Sequence, residues 1–351
     1  MVQAADLQDT GGKPAGTVQL SGVDVPLSVY LSPEARAVML ERLVHPLPMP
    51  SVPLADLGRP GPAIDAWRAQ LDEMLTKPTL ERLKKRYPVI IEEKHLAGVP
   101  VAVVSPKDGT SARNKKRVLI NLHGGGFLVG GLTSGEAEAV PIVGLGRMTV
   151  VTVDYRQAPE YRFPAATEDA VAVYTELLRT YAPKNIGIYG CSAGARLTTE
   201  VTASLIKNQK PLPGAIGVLC GSAGMVNGDS IYTGAALTGG RAPPPLTADQ
   251  SAVPSPYFAG VSPDDPDAYP IKAPTVLAQF PPTLVLTATR DFELSTAIFT
   301  HIQLVKAGVD AELYVWDGLG HGFFGEFPEL PESIDAQKVI ARFFDRHLGT
   351  E

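Results

Sequence analysis

From residue 89 onward, the hydrophobic residues of this chain follow two alternating patterns. Short runs rich in β-branched residues predict strands over residues 89–96, 99–105, 117–123, 148–155, 185–190, 215–220, 283–288 and 311–316. Between the later runs, apolar residues recur every three or four positions, which predicts helices; after Ser192 the stripe is Ala193, Leu197, Val201 and Leu205. Because strands alternate with helices and the central runs are apolar throughout, the pattern predicts an α/β fold with a mainly parallel sheet.

Four further helices complete this alternation. One is expected between the third and fourth strands, one over residues 165–181, one after Asp291 and one up to about Leu348. The helix after Asp291 should end at Gly308 and bury a single apolar stripe made of Leu294, Ala297, Ile298, Leu304 and Val305.

Two parts of the chain depart from the alternation. Residues 1 to about 30 are polar and glycine-rich, which predicts a loose tail, and residues 33–86 are helical pieces broken by prolines, among them Pro46, Pro48, Pro50 and Pro53. The stretch from Cys220 to Thr283 has weak helical signals and many prolines, and long irregular insertions are usually functional. We therefore expect an N-terminal arm with cap helices over 1–86. The catalytic domain should cover 87–351, with a cap-contributing insertion at about 222–282.

Charge and hydropathy exclude several classes of protein. The 351 residues hold 31 Lys and Arg against 37 Asp and Glu. The net charge of −6 argues against binding of nucleic acid, whose phosphates require a basic surface. No apolar run approaches the roughly 20 residues of a spanning helix, and residues 1–16 lack the basic start and apolar core of a signal peptide. We expect a cytoplasmic protein without a membrane span, although a secreted form that had lost its leader would show the same sequence.

The chain has two cysteines, Cys191 and Cys220, which are too few for a disulfide framework or a four-thiolate zinc site. Each follows a predicted strand, and the two strands are expected to be neighbours. We expect a pair of reduced, buried thiols.

A G-x-S-x-G pattern from Gly190 to Gly194 joins a predicted strand to a predicted helix. Nucleophilic chemistry on Ser192 requires a tight turn that lifts the hydroxyl clear of the sheet, and the two glycines avoid clashes with neighbouring backbone. The start of the following helix also favours developing negative charge. The five residues alone fit an ordinary strand-to-helix turn as well, so a base and an acid must be found elsewhere in the chain.

A serine becomes a good nucleophile only when a base takes its proton, and the chain has six histidines. His321 lies between two glycines in a loop just past the last predicted strand. His301 falls on the buried stripe of its helix and is better explained as a core residue. His347 is near the chain end, and His45 and His95 precede the core of the sheet. Placement therefore favours His321 as the base.

The base in turn needs an acid that fixes its tautomer and stabilises its charged form. Asp291 directly follows the strand over 283–288 and precedes His321 by 30 residues. The resulting chain order of Ser, Asp and His is that of α/β-hydrolases. Glu293 is the rival acid, although it is expected inside the following helix. Either carboxylate could instead stand at a helix start without a catalytic role.

Three consecutive glycines, Gly124, Gly125 and Gly126, follow His123 at the end of the third predicted strand. Glycines let backbone N–H groups approach a ligand closely. The run resembles the HGGG loop, whose amides join that of the residue after the nucleophile, here Ala193, in an oxyanion hole. No Lys-Ser or Lys-Thr follows, so a phosphate-binding P-loop is excluded. His123 is expected to hold the loop by hydrogen bonds.

Taken together, these motifs resemble the hormone-sensitive-lipase-like branch of the α/β-hydrolases, close to bacterial short-chain carboxylesterases. The likeness spans about residues 89–345. Its motifs occur in order as His123–Phe127, Asp154–Glu160, Phe163–Ala165, Gly190–Gly194, Asp291 and His321–Phe323. The resemblance implies an α/β-hydrolase fold with an eight-stranded sheet and a helical cap. It also implies Ser192 as nucleophile, His321 as base and Asp291 as acid.

The function implied is that of a serine carboxylic-ester hydrolase that acts on short-chain acyl esters through an acyl-enzyme. Its partner would be a small-molecule ester, with no metal or cofactor, and members of the branch often form homodimers through the sheet edge and C-terminal helix. A lactonase or a natural-product deacetylase would use the same residues. Some relatives are receptors that bind a ligand without turnover. Because Ser192, Asp291 and His321 are all present, this last alternative is disfavoured.

Several residues depart from the usual motifs of the branch. Cys191 stands where many members have Asp, the pair Ala195-Arg196 stands where small residues are common, and Asp291 is followed by Phe-Glu rather than Pro-Leu. Cys191 flanks the centre of the turn, so it is not expected to be the nucleophile. These departures leave the subgroup and the substrate open.

The same resemblance assigns a structural role to a charged motif. Asp154, Arg156 and Glu160 are expected to form a buried charged network that holds the loop beneath the oxyanion glycines.

Overall fold

An eight-stranded sheet is the centre of the computed structural model, which describes residues 24–45, 58–238 and 243–349. Its strands are β1 (Val89–Leu96), β2 (Val99–Pro106), β3 (Val118–Leu122), β4 (Thr149–Val153), β5 (Ile186–Cys191), β6 (Ala215–Leu219), β7 (Thr283–Arg290) and β8 (Ala311–Gly320). Most of the predicted tail, and the prolines at positions 46, 48, 50 and 53, lie outside the described residues.

The strand order is β1-β2-β4-β3-β5-β6-β7-β8. β2 pairs antiparallel with both β1 and β4, whereas all other pairs are parallel. The mainly parallel sheet predicted from the apolar runs is therefore confirmed. Because β3, β5, β6 and β7 point the same way, their carboxyl ends meet at one edge, where ligands of open α/β sheets bind.

The sheet is covered on both faces by helices. These are α1 (Pro33–Val44), α2 (Pro62–Leu71), α3 (Lys77–Arg86), α4 (Leu132–Gly146), α5 (Ala165–Leu177), α6 (Ala193–Lys207), α7 (Ser230–Leu237), α8 (Pro274–Leu277), α9 (Leu294–Lys306), α10 (Phe323–Glu326) and α11 (Pro331–His347). Among the described helices, none is long and apolar enough to cross a membrane.

Alternation along the central strands explains why both faces are apolar. Leu119 of β3 packs in one core cluster with α4 and α11, while its neighbour Ile120 packs in a second cluster with α5 and α6. Every residue of β3, β5 and β6 is buried. A strand buried on both faces needs an unbroken apolar run, which is the pattern that the sequence shows.

Helices α2 and α3 are joined without a break. A π-helical segment, Asp72–Thr76, connects α2 to α3, and α3 buries Leu80 and Leu83 against α4. Arg68 of α2 donates hydrogen bonds to the carbonyls of Leu128 (2.8 Å) and Ala158 (2.7 Å). These bonds fix the end of α2 against the segment that follows β3.

Three expectations about helices and strands differ from the structure. The helix predicted over 165–181 ends at Leu177, and the last strand extends to Gly320. Val305 was assigned to the buried stripe of α9, but it is 51% exposed. One residue turns a helix by about 100°, so the position after buried Leu304 faces away from the sheet.

Arg117 ties the C-terminus to the start of β3. Its side chain is fully buried and donates to the carbonyls of Leu348 and Gly349, and it also pairs with Asp345 at 2.9 Å. Arg113 pairs with the same carboxylate at 3.0 Å, but its side chain is 49% exposed. A buried arginine and an exposed arginine therefore pair with the same carboxylate.

We expect Arg117→Met to lower the free energy of unfolding by about 2–4 kcal/mol, because it leaves the carbonyls of Leu348 and Gly349 without their donor. Asp345 keeps its pair with Arg113. The matched change Arg113→Met should cost less than about 1 kcal/mol, since exposed pairs contribute little. Urea unfolding of both variants measures the difference. Equal losses would show that the buried pair has no special role.

Candidate active site

Ser192 occupies a strained turn between β5 and α6. Its φ of 56° and ψ of −116° are a conformation that non-glycine residues rarely adopt. Gly194 lies so close to β3 that a Cβ there would overlap the carbonyl oxygen of Leu122, and a Cβ on Gly190 would overlap the same oxygen. The two glycines are therefore what permits the turn, and the turn points the serine hydroxyl away from the sheet.

The structure brings the three predicted residues into hydrogen-bonding contact. His321 Nε2 lies 2.8 Å from Ser192 Oγ, and His321 Nδ1 lies 2.7 Å from Asp291 Oδ1. The side chain of Asp291 is fully buried, whereas that of His321 is 23% exposed. An imidazole held between a carboxylate and a hydroxyl can take a proton from that hydroxyl.

Asp291 is fixed by two donors besides the histidine. Thr287 Oγ1 donates to its Oδ2 at 2.8 Å, and the amide of Glu293 donates to its Oδ1 at 2.8 Å. Burial alone would raise the pKa of Asp291. The charge and hydrogen bond of His321, together with these donors, outweigh it and lower that pKa. The carboxylate is thus held ionised and aimed at the imidazole.

The pKa of His321 moves in the opposite direction. Burial favours the neutral ring, but the charge of Asp291 and the hydrogen bond to it dominate and raise the pKa above the ordinary histidine value. The ring of Phe292 packs against the imidazole with centroids 4.3 Å apart. The ring orientation is therefore set by Asp291 and Phe292 together.

Glu293, the rival acid, is placed differently. It lies at the N-cap of α9 rather than inside the helix, and its carboxylate accepts from Ser222 Oγ at 3.2 Å. Burial raises the pKa of Glu293 to about 7. Its side chain makes no hydrogen bond to His321 among the described residues, whereas Asp291 does.

One of the four amides predicted for the oxyanion hole, that of Gly124, is already bonded within the protein. The amide of Gly124 donates to Glu138 Oε1 at 2.9 Å, so its single proton is already committed and is not available to an oxyanion. The amides of Gly125, Gly126 and Ala193 have no acceptor among the described residues. Three of the four predicted amides thus remain as donors near Ser192 Oγ.

Glu138 is a site residue that the sequence reasoning missed. It is carried by α4, accepts also from Asn121 Nδ2 at 2.9 Å, and has its pKa raised to about 7 by burial. Two donors on one buried carboxylate fix the start of the glycine loop. The available signal was a glutamate between two alanines of a largely apolar helix, where a carboxylate requires a partner.

His123 holds the same loop from the other side, as expected. Its Nδ1 donates to the carbonyl of Gly124 at 2.7 Å, and its ring stacks on Tyr155 with centroids 4.3 Å apart. Tyr155 in turn donates to the carbonyl of His123 at 2.7 Å. Burial lowers the pKa of His123 to about 4, so the ring is neutral near pH 7.

The single charged network expected from Asp154, Arg156 and Glu160 is wrong. Arg156 pairs with Asp169 and Glu168 at 2.9 Å, and its side chain is 38% exposed. Glu160 instead pairs with Arg68 at 2.8 Å. The motif therefore takes part in two separate groups of ion pairs, one around Arg156 and one around Arg68, because α2 supplies an arginine that the motif itself does not contain.

Two cavities meet at Ser192. One of about 660 Å³ is lined by Ser192, His321, the glycine loop and the π-helical segment; Arg68 also lines it. The other, of about 590 Å³, is lined by Ser192, Ala193, Arg196 and residues of the insertion after β6. Both sizes are in the range of small-molecule sites, about 300–1,000 Å³.

Cys191 and Cys220 are free and buried, as predicted, at the ends of the neighbouring strands β5 and β6. Burial contributes to raising the pKa of both thiols above the ordinary cysteine value. Among the described residues, no group of three or more His, Cys, Asp or Glu side chains is arranged to hold a metal ion.

The chain is similar in sequence and in fold to known proteins. A family model for the alpha/beta hydrolase fold matches residues 119–325. An acetyl-hydrolase of Streptomyces hygroscopicus is 32% identical over 241 residues, which are 68% of this chain and 78% of that protein. The crystal structure of esterase E25 has a TM-score of 0.76 at 28% identity and covers 95% of this chain and 99% of its own. An esterase from the bacterial hormone-sensitive lipase family has a TM-score of 0.68 at 29% identity, with coverages of 83% and 94%.

Proposed function

The chain belongs to the α/β-hydrolase family and is a carboxylesterase of the hormone-sensitive-lipase type, and we propose that it hydrolyses short-chain acyl esters through Ser192, His321 and Asp291. The observation that carries the proposal is the chain of hydrogen bonds from Asp291 through the two nitrogens of His321 to Ser192 Oγ, at 2.7 and 2.8 Å.

The reaction proceeds in two halves. Ser192 Oγ attacks the ester carbonyl while His321 Nε2 takes its proton, and the amides of Gly125, Gly126 and Ala193 stabilise the oxyanion. His321 then returns the proton to the leaving alcohol, and an acyl-serine remains. Water, deprotonated by the same imidazole, attacks the acyl-serine, and His321 passes that proton to Ser192 Oγ as the acid is released.

In this proposal the alcohol part and the acyl part of the ester occupy different cavities. The leaving oxygen needs the proton of His321, and His321 lines the 660 Å³ cavity but not the 590 Å³ cavity. We therefore assign the alcohol to the first cavity and the acyl group to the second. An acetyl group is a short acyl group, and the similar Streptomyces protein is an acetyl-hydrolase.

We propose that the cap over the site is formed by residues of the N-terminal segment and of the insertion at 222–282. Leu71, Leu75 and Thr76 line the alcohol cavity, while Pro254 and Phe258 of the insertion line the acyl cavity. Both segments therefore lie where they would select the substrate. Pairing of two copies along β8 is also part of the proposal, because β8 is an edge strand of the sheet.

Ser192→Ala is expected to reduce kcat for 4-nitrophenyl butyrate by about 10⁴-fold or more, since no acyl-serine can form. The unfolding midpoint should change little, because alanine fits the same turn. Steady-state kinetics and urea unfolding on the same preparation measure both. Turnover close to that of the unsubstituted protein would remove Ser192 from the mechanism.

Asp291→Asn is expected to reduce kcat by about 10³–10⁴-fold, because an amide at this position favours the wrong tautomer of His321. The matched substitution Glu293→Gln should cost less than about tenfold, since Glu293 bonds to Ser222 rather than to the imidazole. Kinetics of the two variants with one ester distinguish the acids. A reversed order of losses would assign the acid to Glu293.

The pH profile of kcat/KM should have an acidic limb set by His321. The neutral imidazole is the active base, and its pKa is raised above the ordinary value of about 6.5. Activity is therefore complete above the folded-state pKa and is lost as the pH falls through it, with a midpoint above about 6.5. Initial rates between pH 5 and 9 locate this midpoint. A flat profile down to pH 5 would contradict the role of His321.

A further inference from the structure

Arg196 is a charged residue buried beside the proposed nucleophile. It lies on α6, one helical turn after Ser192, and its amide donates to the Ser192 carbonyl at 3.1 Å. The residue is only 7% exposed. Arginine is almost never buried to this degree unless its guanidinium has partners.

The partners that the protein supplies are few. One guanidinium nitrogen donates to the carbonyl of Gly224, and the rings of Phe258 and Tyr269 lie 5.7 and 5.4 Å from the guanidinium carbon. Within the described residues, Arg196 makes no ion pair with a carboxylate inside 4.0 Å. The protein thus holds the guanidinium in place but leaves its charge without a direct counterion.

Two buried carboxyl groups lie near Arg196 without pairing with it. Glu200 accepts from Thr167 Oγ1 at 2.9 Å, and Glu293 accepts from Ser222. Burial raises the pKa of Glu200 to about 8 and that of Glu293 to about 7, while Arg196 acts in the opposite direction on both. Both groups therefore carry less negative charge near neutral pH than exposed glutamates would.

Arg196 lines the acyl cavity and has donors that the protein does not use. Nε and Nη1 have no acceptor among the described residues, yet neither is a fully buried atom. Arg196 lines the 590 Å³ cavity together with Ser192 and Ala193. A guanidinium in this position must find its remaining acceptors in whatever enters the cavity.

We propose that Arg196 is a specificity-determining residue that binds a carboxylate at the far end of the acyl group, so that the preferred substrates are monoesters of short dicarboxylic acids. The inference rests on the proposed function, because it assigns the acyl group to the cavity beside Ala193. A planar guanidinium matches a carboxylate with parallel hydrogen bonds. A cationic acyl group would be repelled by the same charge.

Two substrates with five-carbon acyl chains test the proposal. Mono-4-nitrophenyl glutarate carries a terminal carboxylate, whereas 4-nitrophenyl pentanoate carries a methyl group in its place. The quantity measured is the ratio of their kcat/KM values. Because the leaving group is the same, this ratio isolates recognition of the acyl terminus from the chemistry at Ser192.

In the unsubstituted protein the ratio should exceed one, and Arg196→Met should lower it by about 10- to 100-fold, as expected for a charge-assisted hydrogen bond. Arg196→Lys keeps the charge without the planar fork and should restore part of the ratio. Lys207→Met removes one positive charge from the exposed end of the same helix and should leave the ratio unchanged.

The possible outcomes distinguish a failure of this inference from a failure of the proposed function. Failure of the unsubstituted protein to hydrolyse either ester would overturn the proposed function and, with it, this inference. Hydrolysis of the pentanoate ester with an Arg196→Met ratio equal to that of the unsubstituted protein would overturn only the role of Arg196. Equal losses on both esters would make Arg196 a packing residue, and an unsubstituted ratio below one would also contradict the proposal.

Discussion

The close approach of α6 to the end of β3 is the constraint on which the site depends. Because Gly190 and Gly194 have no Cβ, both can lie against the Leu122 carbonyl, and the chain between them turns at Ser192. That single contact places the serine hydroxyl, the Ala193 amide and the glycine loop after β3 within one small volume. The strained backbone of Ser192, at φ 56°, is held by the packing of two secondary-structure elements on either side.

Around this turn, hydrogen bonds fix several of the polar groups that shape the site. Glu138 holds the Gly124 amide, His123 holds the Gly124 carbonyl, and Thr287 holds Asp291. Preorganised donors of this kind need no rearrangement when charge develops in a reaction. Burial raises the pKa of Glu138 and of Glu293 to about 7, so each adds less negative charge beside the free amides than an exposed glutamate would.

The sheet and the three aligned residues could be predicted from the sequence because they follow from local patterns. Unbroken apolar runs marked the buried strands, and Ser192, Asp291 and His321 each follow a strand at the same edge. The pairing of side chains distant in sequence could not be predicted in this way. Gly124 was included among the free amides because its partner Glu138 lies on the next helix, and the ion pair of Glu160 with Arg68 joins residues 92 positions apart. Val305 was misplaced because an apolar residue at the edge of a helical stripe can face solvent.

Arg68 also bears on how freely the N-terminal segment can be exchanged between related proteins. Its guanidinium contacts the chain at residues 128, 158 and 160, which all belong to the α/β domain. A chimera that replaced α2 alone would leave two carbonyl oxygens and one carboxylate without their donor. Hydrogen bonds therefore cross the boundary that we propose at residue 86. An exchange between related proteins would therefore have to move α2 together with the two loops that Arg68 contacts, one after β3 and one after β4.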